Sequence, residues 1–376
     1  MRVEPPVPAP ALARMRTALA SARASAVDAP ILQPLNLLLD LAGEAMRASL
    51  FVVQAEGEAE ACLRPDFTVA VARRHIESGQ GKGRYVYEGP AFRASPQTDR
   101  PEEFRQLGVE LFAPAGGATV EADVEVAGLA WATAAAGGRD DLTLWLGDVG
   151  LFSAFIESLG LPRNLAARLT RVAGRPRLLN AELARAGATP AAASGGDRLA
   201  AMLSGLSETD AAAMLEEVWA LAGIEPVGGR GPREIAARLI RRAEAARAPA
   251  LTERQAEAIG VFMAISEAPS AALAKVRRLT GKAKALDAAL DDWEARLAGL
   301  SEIPTGRMRF APALGHAFDY YDGLTLEVRS EALGPDRPVA SGGRYDGLLA
   351  RLGGVAQARA VGCSIRPWRA FAGGEA

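Results

Sequence analysis

Residues 104–112, FRQLGVELF, carry a glutamine, a glycine and a glutamate at alternate positions: Gln106, Gly108 and Glu110. If the stretch is a strand, these three share one face and Leu107, Val109 and Leu111 share the other, because successive side chains point to opposite sides of a sheet. The leucine and valine face suits a core. An amide and a carboxylate supply donors and acceptors for a polar ligand, and the glycine between them leaves a floor without a side chain. Singly, either residue reads better as part of a solvated sheet face. Together they frame a candidate polar pocket.

The elements that would position these groups are legible on either side. RYVYEGPAFR and EEFRQLGVELF read as two strands of a hairpin joined by the polar loop ASPQTDRP. An amphipathic helix from Ala11, the segment ILQPLNLLLDLAGEAMRASLFVV and a helix near TVAVARRHI precede them; LTLWLGDVG follows as a strand. From about Leu151 to Leu300, alanine, leucine and paired charges recur at helical spacing, with stops at GRP, ASGGD and PVGGRGP. TERQ, residues 252–255, has the form of a capping box. Strand signals return in MRFAPAL, FDYYDGLTLEV and RPVASGG, followed by a short helix in YDGLLARLGG and a strand in AVGCSI. This order predicts an α+β fold in which residues 1–150 and 301–376 build one sheet domain, interrupted by a mostly helical insertion over 151–300.

Bulk properties exclude several classes. A chain of 376 residues exceeds what one core usually holds. With 49% hydrophobic and 23% charged residues it belongs to the globular class, and a net charge of −2 offers no general affinity for a phosphate backbone. The two cysteines, Cys62 and Cys363, lie in no CxxC or CxxH pattern, which points to buried thiols in a reducing compartment and to no metal site. The N-terminal MRVEPPVPAPALARMRTAL lacks the charged-then-apolar order of a signal peptide, and VAGLAWATAAAGG is too short and glycine-rich to span a membrane. A cytoplasmic location is expected.

Five segments, RPDFT, GPAFR, FRQLGVELF, FDYYDG and SGGRYDGLLARLGG, resemble in content and order the core of class II histidyl-tRNA synthetases. The similarity spans nearly the whole chain, the insertion being matched by character and position rather than by residues. It implies a class II aminoacyl-tRNA synthetase-like antiparallel sheet with flanking helices and a helical insertion. It also implies a pocket for free histidine, formed by Asp66, Thr68, Gln106, Glu110, Tyr321 and Tyr345. Asp66 departs from the family's glutamate by one methylene. Taken singly, Asp66 or Thr68 equally suits a helix cap, and the tyrosines suit core rings. The physics of such a pocket agrees: Gln106 and Glu110 have backbones roughly 13 Å apart on a strand, so side chains leaning over Gly108 could clasp both ends of a small amino acid.

The other half of a synthetase site holds ATP and needs fixed cations where negative charge grows. Arg93 and Arg369 stand where the resemblance implies phosphate-binding arginines, a remnant phosphate site. Three positions are degenerate. Ser95 replaces a glutamate that places the adenine, His316 replaces a catalytic arginine, and Arg366 replaces a glycine in RPWR, where Pro367 and Trp368 add stiff bulk. A neutral imidazole offers no guanidinium fork, and a lone histidine such as His316 suits packing as well. No C-terminal anticodon-binding domain is expected.

A retained amino-acid pocket without activation chemistry or a tRNA reader resembles the regulatory subunits of ATP phosphoribosyltransferase. The resemblance implies a noncatalytic chain with no cofactor and no metal. It implies a short-form ATP phosphoribosyltransferase catalytic subunit as partner and histidine as feedback effector in histidine biosynthesis. A homodimer through the region around Pro34, within a hetero-oligomer, is expected, with neither tRNA nor a membrane as partner. Two other readings stand at this point: a divergent ligase activating an amino acid for a non-tRNA acceptor, and a structural subunit with a vestigial pocket.

Overall fold

The computed structural model describes residues 1–54, 60–117, 119–187, 202–203, 206–222, 231, 233–237, 239–240, 251–279, 283–315 and 320–374. The hairpin is the frame of the larger unit. Strands β5 (Gly83–Phe92) and β6 (Glu103–Ala113) pair antiparallel from Gly83↔Phe112 to Phe92↔Glu103. That register sets Tyr85, Tyr87 and Gly89 beside Glu110, Gly108 and Gln106 on one face. On the other side of β6, strand β11 (Arg359–Ile365) places Gly362 opposite Glu110 and Ser364 opposite Gly108. Strands β10 (Ala340–Arg344), β9 (Leu324–Ser330) and β7 (Leu142–Asp148) continue the antiparallel ladder. Parallel edges are added by β1 (Ser25–Ala26) and β8 (Met308–Phe310), giving the order β1-β5-β6-β11-β10-β9-β7-β8 among the described residues. A small second sheet joins β2 (Leu32–Pro34), β4 (Ala61–Leu63) and β3 (Val52–Val53).

From Gln106 to Phe112 neither face of β6 is wet. Leu107, Val109 and Leu111 are buried, as the alternation predicts, and so are Gln106 and Glu110. Helix α4 (Val120–Ala135) covers the apolar face of the sheet over β11, β10 and β9, burying Val126, Ala127, Ala130 and Ala134, and α1 (Ala9–Ala20) packs beside it and against β6 with Ala11, Met15 and Leu19 inward. The opposite face is covered where α3 (Thr68–Glu77) brings Val69, Ala70, Val71 and Ala72 into a core with Tyr87, Phe112 and Tyr345.

The compact units are Met1–Leu159 with Val261–Ala376, and Gly160–Gly260. Helices Pro269–Leu279 and Lys284–Gly299, which sequence alone assigns to the insertion, thus belong with the sheet. The reason is polar as well as apolar. Buried Trp293 donates its indole N–H to Asp148 at 2.8 Å, and Asp148 ends β7 by capping the following helix Val149–Ser158 through Leu151 N at 3.0 Å. The described residues of the 160–260 unit are mainly helical, with a small core of Leu203, Ala211, Leu215, Ala236 and Ile240. The TERQ capping box forms: Thr252 N donates to Gln255 Oε1 at 3.0 Å and Gln255 N to Thr252 Oγ1 at 3.2 Å. Strand content at MRFAPAL shrinks to Met308–Phe310, where the proline that follows Ala311 lacks a ladder N–H. Both cysteines are free and buried. Among the described residues no helix is long and apolar enough to cross a membrane.

One buried ionic knot ties the layers. Asp123 of α4 accepts from Arg344 Nη2 at 2.6 Å and from Arg296 Nε at 2.8 Å, and its side chain is 1% exposed. Arg344 also reaches Asp346 at 2.9 Å. Removing one member of such a group leaves uncompensated charge in low dielectric. Asp123→Ala is therefore expected to destabilise the chain by about 3–5 kcal/mol in urea unfolding; a loss below about 1 kcal/mol, the level of an exposed pair, would contradict this account.

Candidate ligand-binding site

Glu110 is the hub of the polar face. Its Oε1 accepts from Thr68 Oγ1 at 2.8 Å and from the Tyr87 hydroxyl at 3.3 Å, and its Oε2 accepts from the Tyr345 hydroxyl. The carboxyl lies in a site that is 1% exposed. Burial pushes its pKa up to about 8; the hydroxyls of Tyr345 and Thr68 pull it down, and the neighbouring Asp66 pushes it up again. The same surroundings raise the phenols of Tyr87, Tyr321 and Tyr345, first through burial and then through the charge of Glu110.

Glycines make room for this cluster. A Cβ on Gly108 would lie 2.2 Å from the Tyr87 hydroxyl, because that ring lies across the glycine from the neighbouring strand. A Cβ on Gly362 would lie 1.6 Å from Glu110 Oε2. The glycine between Gln106 and Glu110 is therefore a bed for a side chain of β5. Tyr87 is in turn stacked on Phe67 with ring centroids 4.4 Å apart, and the Arg64 guanidinium lies 3.8 Å over Phe67.

A cavity of about 330 Å³ opens beside this layer. Asp66, Thr68, Tyr320, Tyr321 and the Gly362–Cys363 backbone form one end. Asp66 accepts from Thr68 N at 3.1 Å and lies 3.9 Å from Arg93; burial raises its pKa and Arg93 opposes that rise. Helix α3 thus gives Asp66 a capping contact, while the Thr68 hydroxyl turns inward to Glu110. Among the described residues the cavity wall includes Asp66, Thr68 and Tyr321 but not Gln106, Glu110 or Tyr345. Glu110 joins it through Thr68, and Tyr345 through Glu110 and an edge contact to Tyr321 with centroids 6.3 Å apart. Gln106 is 3% exposed, and its Oε1 is buried without a hydrogen-bond partner among the described residues.

Arg93, Arg100, Arg366 and Arg369 line the other end, with Glu327 and Asp336 among them. Arg93 Nε donates to Pro65 O at 2.9 Å, and Arg369 Nη1 donates to Pro338 O at 3.1 Å. Ser95 sits on this wall too. Arg366 lies 3.5 Å over the Phe104 ring. His316 lies outside the described residues. Chemically, the cavity offers the Asp66 carboxyl to N–H donors at one end and four guanidinium groups, partly balanced by Glu327 and Asp336, to anions at the other, the polarity a small zwitterion requires.

Sequence reasoning missed Tyr87, Tyr320 and Gly362. Tyr87 follows from the hairpin register, since it faces Gly108 directly, but a long loop leaves that register open in sequence. Tyr320 adjoins Tyr321 within the DYY segment, with centroids 4.8 Å apart, and alternation along a strand does not apply to that turn. Gly362 could be found only by knowing that β11 borders β6.

Comparison with known proteins agrees with this geometry. The histidyl-tRNA synthetase family model matches residues 11–224 and 232–369. The fold matches an ATP phosphoribosyltransferase regulatory subunit/histidyl-tRNA synthetase from Bacillus halodurans C with TM-score 0.63 at 21% identity, covering 96% of this chain and 77% of that one. It matches a histidyl-tRNA synthetase from Nostoc sp. PCC 7120 with TM-score 0.59 at 16% identity, covering 96% and 69%. The architecture is thus histidyl-tRNA synthetase-like, a mixed α+β fold around a large sheet. Closer in sequence are ATP phosphoribosyltransferase regulatory subunits: that of Mesorhizobium japonicum is 36% identical over 95% of both chains, and that of Rhizobium meliloti is 35% identical over 90% of both. The chain belongs to the family of ATP phosphoribosyltransferase regulatory subunits, whose name is that of a regulatory component and not of an independent catalyst.

The raised Glu110 carboxyl has a stability consequence. In the unfolded chain the group loses its proton near 4.5, whereas in the fold it keeps it to about 8. Between these values the folded state binds more protons, so stability falls as pH rises, and the raised Asp66 acts in the same direction. In urea titrations from about pH 5 to about pH 8 the wild-type midpoint is expected to fall more steeply than that of Glu110→Gln. Parallel curves for the two proteins would show that Glu110 is not the titrating group.

Proposed function

We propose that this chain binds free histidine in the Asp66–Tyr321 cavity and, through it, controls a short-form ATP phosphoribosyltransferase catalytic subunit. The observation that carries the reading is the buried Glu110 with its three hydroxyl donors beside a cavity of amino-acid size. The α-ammonium of histidine is matched by Asp66 and its α-carboxylate by Arg93, both on the cavity wall, while Glu110 lies behind Thr68 and holds that hydroxyl in place. Thr68, Tyr321 and Tyr345 fix the orientation of the acceptors. In this reading the chain makes no bonds itself and works in the cytoplasm, in the pathway that ends in histidine, and tRNA has no part in it.

Feedback then follows from linkage. Histidine biases the complex only by the difference in its affinity for two arrangements, and a tenfold difference amounts to about 1.4 kcal/mol. Homodimerisation is part of the proposal. Its support is the exposed apolar group Ile31, Leu32, Val52 and Val53, the last three of which lie on the small sheet containing Pro34, a surface of the kind that marks protein contacts.

Two measurements test the reading. Calorimetry should show histidine binding that Glu110→Ala weakens by at least about tenfold, or about 1.4 kcal/mol. In a mixing assay the purified chain should activate a short-form catalytic subunit, and added histidine should reverse that activation. Amino-acid-dependent ATP–pyrophosphate exchange by the chain alone would instead establish a ligase, and absence of histidine binding would leave the pocket vestigial.

A further inference from the structure

The basic end of the cavity contains an aromatic platform. Phe104 lines it and is 3% exposed. Aromatic faces of this kind hold flat ligand rings by stacking, as they hold nucleobases. In this chain a guanidinium stands there. The Arg366 guanidinium carbon is 3.5 Å from the Phe104 ring centroid, and that of Arg93 is 5.6 Å from it. Arginine is planar and stacks on aromatic rings much as a base does.

Arg366 is held in place from the far end of the sequence. Its Nη2 donates to Glu4 Oε1 at 2.6 Å, with side chains only 12% and 3% exposed. Glu4 is fixed in turn by backbone pairing to the root of the hairpin. Glu4 N donates to Glu103 O at 2.8 Å, Glu102 N to Arg2 O at 2.7 Å, and Val3 bridges to Glu103 in parallel. The Arg2 side chain ties the same segment to the loop, donating to Ser95 O and Arg100 O, both at 2.8 Å. A charge-assisted bond between largely buried groups, with its acceptor on a paired backbone, holds one rotamer firmly.

We propose that Arg366, anchored by Glu4, is the selecting element of the cavity: it occupies the place on Phe104 where the flat heteroaromatic base of a nucleotide would stack, and leaves room for an amino acid alone. The inference deepens the reading given above, on which it rests for the ligand at the acidic end. It makes the first few residues of the chain part of the specificity of a site built mainly by the sheet.

The test is a gain of binding, which a merely damaged protein does not produce. Arg366→Gly removes the guanidinium; Glu4→Gln keeps the backbone pairing and withdraws the charge that anchors it. ATP, adenosine and pyrophosphate are titrated separately into the full chain by calorimetry. Arg366→Gly is expected to bind ATP and adenosine at least about tenfold more tightly than wild type, with a smaller gain in Glu4→Gln. Pyrophosphate should show no gain, because the ring and not the phosphates is what Arg366 displaces. Equal adenosine affinity in wild type and both variants, with far-UV circular dichroism unchanged, would overturn the proposal; if Arg366→Gly does not fold, Glu4→Gln decides. Gains with adenosine in a chain that never binds histidine would uphold the selecting role and remove the amino-acid reading.

Discussion

A carboxyl group buried on the floor of a β-sheet is the constraint from which the rest of the site follows. Glu110 sits in the middle of the sheet, between β5 and β11, where water cannot reach it. Its acceptor sites must therefore be met from neighbouring elements, and Thr68, Tyr87 and Tyr345 meet them from the start of α3, from the adjacent strand and from the end of β10. The donors can approach only where strands carry no Cβ. Gly108 admits Tyr87, Gly362 admits the carboxyl itself, and Gly343 lies where a Cβ would come within 2.7 Å of Tyr321. Glycine weakens a strand interior, and here the loss is offset by the aromatic surface that the gaps allow to be buried.

Much of this was legible in the alternating pattern of FRQLGVELF. The apolar half of the pattern marked the face that turns toward α1, and the polar half marked the site face. What the pattern could not convey is the kind of polarity. A solvated face and a buried one have the same spacing, and they are separated only by what covers them, here the α3 segment and the Tyr345 region. The register that sets Tyr87 over Gly108 depends on a loop whose length does not dictate it. The helical signal from Pro269 to Gly299 was correct in type but gave no indication of its unit, because the contacts that assign it, Trp293 to Asp148 and Arg296 to Asp123, join residues more than a hundred positions apart. Glu4 and Arg366 are 362 positions apart, and nothing in local composition links them.

The two ends of the cavity differ in how their charges are balanced. At the acidic end the carboxyls of Asp66 and Glu110 are both pushed up by burial, and Asp66 raises Glu110 further. At the other end Arg366 is compensated by Glu4 and Arg93 by its proximity to Asp66. What lacks a partner near the acidic end, among the described residues, is the Gln106 amide oxygen, whereas Arg366 at the basic end already has its counterion.

That asymmetry bears on how such a chain could sense a ligand. A pocket whose polar groups are fully satisfied gains little from a guest, and the guest then has little free energy with which to favour one arrangement over another. A cluster of carboxyls held above their ordinary range behaves differently. In the proposed reading a ligand bringing positive charge to Asp66 on the cavity wall favours its ionised form, and Thr68 links that wall to Glu110. Binding free energy is then generated at the centre of the sheet, against β11 and α3. Any rearrangement that moves either element away from Glu110 forfeits that energy, so in the regulatory reading the bias a ligand exerts is carried by the elements whose hydroxyls and glycines enclose one carboxyl.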